Sequence, residues 1–107
     1  MRPRFEIEVF EHSAAAPGTA LLRVAGRWLS ETEERLAPPL LVVDDGRRTH
    51  RLSALNGGED AAPLAAPEGG LWRADYAVPA ELVDLHAAFA LDAGRGGLVE
   101  LPAPLSR

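Results

Sequence analysis

The chain has 107 residues, a formal net charge of −5 and no cysteine, and all 11 of its basic residues are arginine. That length suits one domain rather than two. The missing thiols exclude disulfides, thiolate metal sites and cysteine catalysis. An acidic balance without a basic run argues against nucleic acid, whose binding rests on phosphate neutralisation.

Hydrophobic residues make up 47% of the chain, enough to fill a core. No stretch approaches the run of about 18 apolar residues that a membrane span needs. The opening Met1-Arg2-Pro3-Arg4-Phe5-Glu6 has no apolar segment behind its basic residues, so it is no signal peptide and the expected compartment is the cytoplasm.

Residues 4–11 read as the first strand, with Phe5, Ile7 and Val9 inward against Glu6 and Glu8 outward. Phe10 falls out of phase. Pro17-Gly18 marks a turn. Residues 19–29 form the second strand, with Leu22, Val24, Gly26 and Trp28 on one face and Arg23, Ala25 and Arg27 on the other. A glycine in mid-strand predicts a bulge or a close backbone approach. Ser30 and Glu33 have capping-box spacing, which suits one helical turn or an acidic loop.

Pro38-Pro39 ends that segment. The apolar run 40–43 suits a central strand covered on both sides. Asp44-Asp45-Gly46-Arg47 predicts a tight hairpin with positive φ at both central positions, returning along residues 48–55. Residues 56–70, rich in Gly and Pro, read as a surface excursion with a short edge segment over 63–66. Residues 71–78 form a clean strand, with Trp72, Ala74, Tyr76 and Val78 inward and Arg73 and Asp75 outward. Pro79-Ala80-Glu81-Leu82 suits a turn or one helical turn. Strands over 85–92, with Leu85, Ala87, Phe89 and Leu91 inward, and over 98–101 follow, separated by a glycine-rich hairpin. Pro102 opens a segment, 102–107, that suits a linker or tail.

About seven short strands between Gly/Pro turns predict a single all-β domain over residues 1–107, an antiparallel two-sheet sandwich. The two tryptophans are expected to face each other across its core.

The chemistry-bearing residues are sparse. His12, His50 and His86 lack ligand spacing, so a metal site would need three separate elements to converge. Glu31, Glu33 and Glu34 fall in a loop, and Asp44 and Asp45 in a turn, where carboxylates are usually solvated or turn-forming. No serine sits in a nucleophile elbow, and the glycine pairs lack the lysine of a phosphate loop. Trp28, Trp72 and Tyr76 offer a sugar-stacking platform only if the core does not claim them. Arg23, Arg27, Arg47, Arg48, Arg51 and Arg73 suggest one outward arginine face, with Asp75 among them. Within it, Arg23, Arg27, Arg73 and Asp75 form the candidate interaction surface; the plainer reading is a salt-bridged exterior.

The strand count, the tryptophan in an early strand and the Val78-Pro79-Ala80-Glu81-Leu82 turn together resemble an immunoglobulin- or fibronectin-III-like sandwich. The chain departs from that pattern in lacking both cysteines and a tyrosine corner. The resemblance implies binding, spacing or assembly by way of a protein partner or self-association. The composition, rich in Ala, Arg, Gly and Pro, is also similar to N-terminal modules of larger proteins from high-GC bacteria. The expected function is therefore a non-catalytic protein-interaction module, with no cofactor, no metal, no nucleic acid and no membrane. A carbohydrate- or small-ligand-binding domain is the alternative, and a small hydrolase or metal-dependent enzyme comes third.

Overall fold

A computed structural model of the protein describes residues 3–55, 62–84, 87–94 and 97–107. Its strands are β1 (Arg4–Ala16), β2 (Thr19–Leu29), β3 (Glu34–Arg35), β4 (Leu40–Asp44), β5 (Thr49–Leu52), β6 (Leu64–Ala65), β7 (Gly70–Pro79), β8 (Ala88–Asp92), β9 (Leu98–Leu101) and β10 (Leu105–Ser106). One short helix, α1 (Ala80–Asp84), lies between β7 and β8. The chain is therefore all-β, with ten strands among the described residues rather than about seven. No helix among these residues is long and apolar enough to cross a membrane.

The strands form a four-stranded sheet in the order β10-β1-β2-β7, a second in the order β5-β4-β8-β9, and a β3-β6 ribbon. The strand ladders are antiparallel except that of β10, which runs parallel to β1, and a single parallel bridge joins Leu29 to Ala66. Alternation explains the long central strands. In β2, Leu22, Val24 and Trp28 are buried, and in β7, Trp72, Ala74, Tyr76 and Val78 are buried. Leu41 and Val43 of β4 and Phe89 and Leu91 of β8 meet them in a common core. Tyr76 ties the two sheets together: its O–H donates to the Pro39 carbonyl at 2.8 Å, just ahead of β4. Burial raises the Tyr76 phenol well above its ordinary value. Pro79 closes β7, and Leu82 of α1 is buried beneath the turn into the second sheet.

β1 departs from simple alternation. Ile7 pairs with Gly26 but Val9 pairs with Ala25, so Glu8 is an extra residue and the strand carries a bulge. The bulge resets the phase. Val9 joins the outward row with Ala25, while Phe10 turns inward opposite Val24 and packs edge-on against Phe89 of the other sheet, with ring centroids 5.5 Å apart. The expected inward set Phe5, Ile7 and Val9 is thus corrected to Phe5 and Phe10, and Ile7 is left 38% exposed.

Gly26 realises both meanings of a mid-strand glycine. It lies opposite the bulge, and the Phe5 ring rests over it. A Cβ there would fall 2.5 Å from Phe5 Cζ and closer still to the Glu6 carbonyl oxygen. Phe5 fits between Trp28 and Trp72, at 4.8 and 5.8 Å between centroids. The two tryptophans are diagonal neighbours on one sheet, 6.0 Å apart, rather than facing each other across the core.

Several shorter elements also differ from expectation. Ser30 bonds the Glu34 carboxylate at 3.2 Å instead of capping a helix with Glu33, and Glu34–Arg35 is a strand paired with Leu64–Ala65. The expected edge segment over 63–66 is thus present as β6. The hairpin after β4 turns one residue later than expected: Asp44 pairs with Thr49, and the Asp45 amide donates to the Arg48 carbonyl at 3.2 Å, which leaves Gly46 and Arg47 at the tip. Asp44 accepts from the Gly46 amide, Asp45 accepts from the Arg47 and Arg48 amides, and Gly46 takes φ 91°. β5 ends at Leu52, and β8 begins at Ala88. The inward role expected of Leu85 lies outside the described residues, as do residues 56–61 of the 56–70 excursion. The segment 102–107 carries β10: Leu105 and Ser106 pair with Glu11 and His12, and the Arg107 amide donates to the His12 carbonyl at 2.9 Å.

Candidate interaction faces

Each sheet has one face in the core and one outside. On the first sheet, odd-numbered residues of β2 and β7 point outward, and this brings Arg23, Arg27, Arg73 and Asp75 to one face. Arg23 lies opposite Asp75 and Arg73 opposite Ala25. Arg23 reaches Asp75 at 3.5 Å and Glu11 at 3.9 Å, and Arg107 reaches Glu11 at 2.8 Å. Arg27 donates to Glu8 at 3.1 Å and to the Gly69 carbonyl at 3.2 Å. The face is an exposed lattice of opposite charges, each pair worth about 0–1 kcal/mol. Arg47, Arg48 and Arg51 do not share it. The first two lie in the β4–β5 hairpin, and Arg51 lies on the outer side of the second sheet.

At the hairpin, His50 Nε2 and Asp45 Oδ2 are 3.0 Å apart. The hydrogen bond to His50, then the Arg48 and Arg47 amides, holds the Asp45 carboxyl well below its ordinary value. Each interaction favours the charged form. Asp45 is therefore occupied in closing the turn and orienting His50. His12 lies in β1 beside β10, and His86 lies outside the described residues. Among the described residues no group of three His, Asp or Glu side chains is placed to hold a metal ion. Trp28 and Tyr76 have no exposed surface and Trp72 has 5%, so none of the three can stack a sugar.

The outer face of the second sheet is of another kind. In β4 and β8 the outward positions include Val42, Ala88 and Ala90, whose short side chains form a low floor; Ala88 is exposed, while Val42 and Ala90 lie deep, each 8% exposed. The flanking strands carry longer ones, Arg51 on β5 and Leu98 and Glu100 on β9. A groove of about 570 Å³ results, lined by these residues with Asp44, Thr49, Phe89 and Leu101. Leu98 is 60% exposed. Register places Arg51, Val42, Ala90 and Glu100 in one row across the four strands.

Arg51 also bonds Asp92 at 2.7 Å. The Gly94 amide and Arg51 together lower the Asp92 carboxyl below its ordinary value. The apolar run 40–43 is therefore central, but only its inner face is covered by a second layer; Val42 is screened by neighbouring side chains in the row. This face escaped the sequence reading. Its signal was the alternation of small Ala88 and Ala90 with large Phe89 and Leu91, which marks a thin outer side.

No protein-family model matches the chain, and no curated protein or solved structure shows significant similarity to it.

Proposed function

We propose that this chain is a non-catalytic protein-interaction module, built as an immunoglobulin-like sandwich, that works through the outer face of the β5-β4-β8-β9 sheet. The topology supports the sandwich. The orders β1-β2-β7 and β5-β4-β8-β9 follow the A-B-E and C′-C-F-G arrangement of such domains, with the β3-β6 ribbon and β10 added.

The observation that carries the choice of face is its contrast with the other one. Arg23, Arg27 and Asp75 on the first sheet are engaged within the chain. The second sheet presents an apolar floor, an exposed Leu98 and a Glu100 with no hydrogen-bonding or ionic partner among the described residues. Apolar floors with charged rims are what protein interfaces use, the centre for burial and the rim for orientation.

The test is photo-crosslinking in the source cells, with Leu98→p-benzoylphenylalanine compared with Ala77→p-benzoylphenylalanine on the first sheet's outer side. Protein conjugates at position 98, absent at 77 and lost when Ala90→Arg is added, support the reading. Conjugates at neither position, or equally at both, refute it.

A further inference from the structure

The cross-strand row on the second sheet has a symmetry that identifies an occupant. It reads Arg51, Val42, Ala90, Glu100: a cation, a branched apolar side chain, a small apolar one and an anion. Reversed, the row is its own complement. A two-fold axis parallel to the strands and passing between β4 and β8 lays it over the same row of a second copy, running the opposite way. Arg51 then faces Glu100 of the other copy, and Val42 faces Ala90. The remaining two contacts repeat these by symmetry. Aligned sheets pack about 10 Å apart with their strands inclined by about 30°, so large-against-small pairing at the centre lets them approach.

We propose that this face pairs with a second copy of the same chain, the Arg51–Glu100 contact being made twice. This rests on the reading of the face as the working surface. The charges favour it: Glu100 has no partner within the described chain, and Arg51 holds Asp92 through one terminal nitrogen, leaving other N–H donors to reach across. Each copy carries −5, and at physiological salt the Debye length of about 8 Å screens that long-range repulsion while leaving contact pairs largely intact.

Four strands of about five residues give a contact of roughly 300 Å² per copy, under half the usual 800 Å². The dimer is accordingly weak, with dissociation in the high-micromolar range.

Sedimentation velocity on the purified chain, from about 10 μM to about 1 mM at physiological salt, tests the pairing. The expected result is a monomer–dimer equilibrium. Glu100→Arg and Arg51→Glu each set like charges against each other twice and weaken it by at least about tenfold. Mixed in equal amounts, the two variants restore both contacts in a heterodimer, and the dimer returns. Ala90→Arg, on the outer face although only 8% exposed, abolishes pairing, and an unchanged urea midpoint shows that the fold is kept; it serves if Arg51→Glu, set beside Asp92, fails to fold. A monomer at every concentration overturns the proposal, as does a dimer indifferent to Glu100→Arg and Ala90→Arg, or a mixture that stays monomeric. A monomeric chain that still crosslinks another protein from position 98 refutes self-pairing but keeps the face; a monomeric chain that gives no crosslink from position 98 refutes both.

Discussion

Replacing Gly26 with alanine should destabilise the protein, against the ordinary direction of that substitution. Where the backbone is compatible, Gly→Ala gains about 0.4–1 kcal/mol by restricting the unfolded chain. The Gly26 backbone lies outside the left-handed region, so backbone strain does not decide the outcome; space does. The new methyl would meet Phe5 Cζ at 2.5 Å and Phe5 Cε1 at 2.7 Å, together with the Glu6 carbonyl oxygen. Phe5 cannot retreat without leaving Trp28 and Trp72, and the carbonyl belongs to the backbone of β1. Overpacking costs about 1–3 kcal/mol, and weakened aromatic contacts add about 0.5–1.5 kcal/mol.

The expected net loss at Gly26 is about 0.5–4 kcal/mol, or roughly 2–16 °C in Tm for a domain of this size. Urea unfolding followed by tryptophan fluorescence measures it, as a midpoint lowered by up to about 2 M with the slope unchanged. Phe5→Ala combined with Gly26→Ala should cost less than the two separate losses summed, because removing the ring relieves part of the clash. An alanine variant as stable as the parent, or more stable, would show that β1 and β2 separate freely and that the Phe5–Gly26 seat is not a constraint.

Tyr76→Phe removes the bond to Pro39 and leaves a carbonyl without its donor; the expected cost is about 1–3 kcal/mol in the same urea assay, and a loss of only a few tenths would mean the link between the sheets is idle. Asp45 has a folded-state value below its ordinary 3.8, so its contribution is present above that pH and is lost as pH falls through the depressed folded value. Stability measured from about pH 5 to about pH 2 should therefore fall less steeply for Asp45→Asn, although Asp92 contributes a slope in the same direction; superimposable curves would contradict the role given to Asp45. Arg107→Ala should cost under about 1 kcal/mol and nothing at about 1 M salt, because the Arg107–Glu11 pair lies at the surface; a larger, salt-independent loss would mean that β10 is held by packing instead.

The parts of the fold that sequence reading reached are those where one strand has one wet side. In β2 and β7 a period of two is enough, and Trp28, Trp72, Tyr76 and their neighbours fall where alternation puts them. β1 was harder because a bulge changes phase without changing residue type. Phe10 out of step and Gly26 in mid-strand were its traces, but neither alone locates the extra residue at Glu8. The tight turn after β4 is legible in Asp44-Asp45-Gly46-Arg47 but its register is not, since the carboxylates of Asp44 and Asp45 bind the amides of Gly46, Arg47 and Arg48 and set the tip at Gly46-Arg47, one residue later.

The arginine face shows a different limit. Parity tells which residues leave the core, but not which sheet their strand joins. Arg51 was therefore grouped with Arg23, Arg27 and Arg73, though it projects from the opposite side of the molecule. The row it does belong to depends on register across four strands, and Ala90 and Glu100 are distant from Arg51 in the chain.

The aromatic cluster of the first sheet also equips the protein with an internal optical gauge. Trp28 and Trp72, 6.0 Å apart and inclined at 73°, are close enough for their electronic transitions to couple, and the coupling depends on both distance and angle. Their circular-dichroism signal therefore reports on the seating of β2 against β7, with Phe5 of β1 wedged beside both. Because the Trp28 indole N–H has no hydrogen-bond acceptor among the described residues and the ring has no exposed surface, its emission reports a dry environment and shifts when water enters. Loosening of the first sheet can be followed through these two chromophores without adding a label.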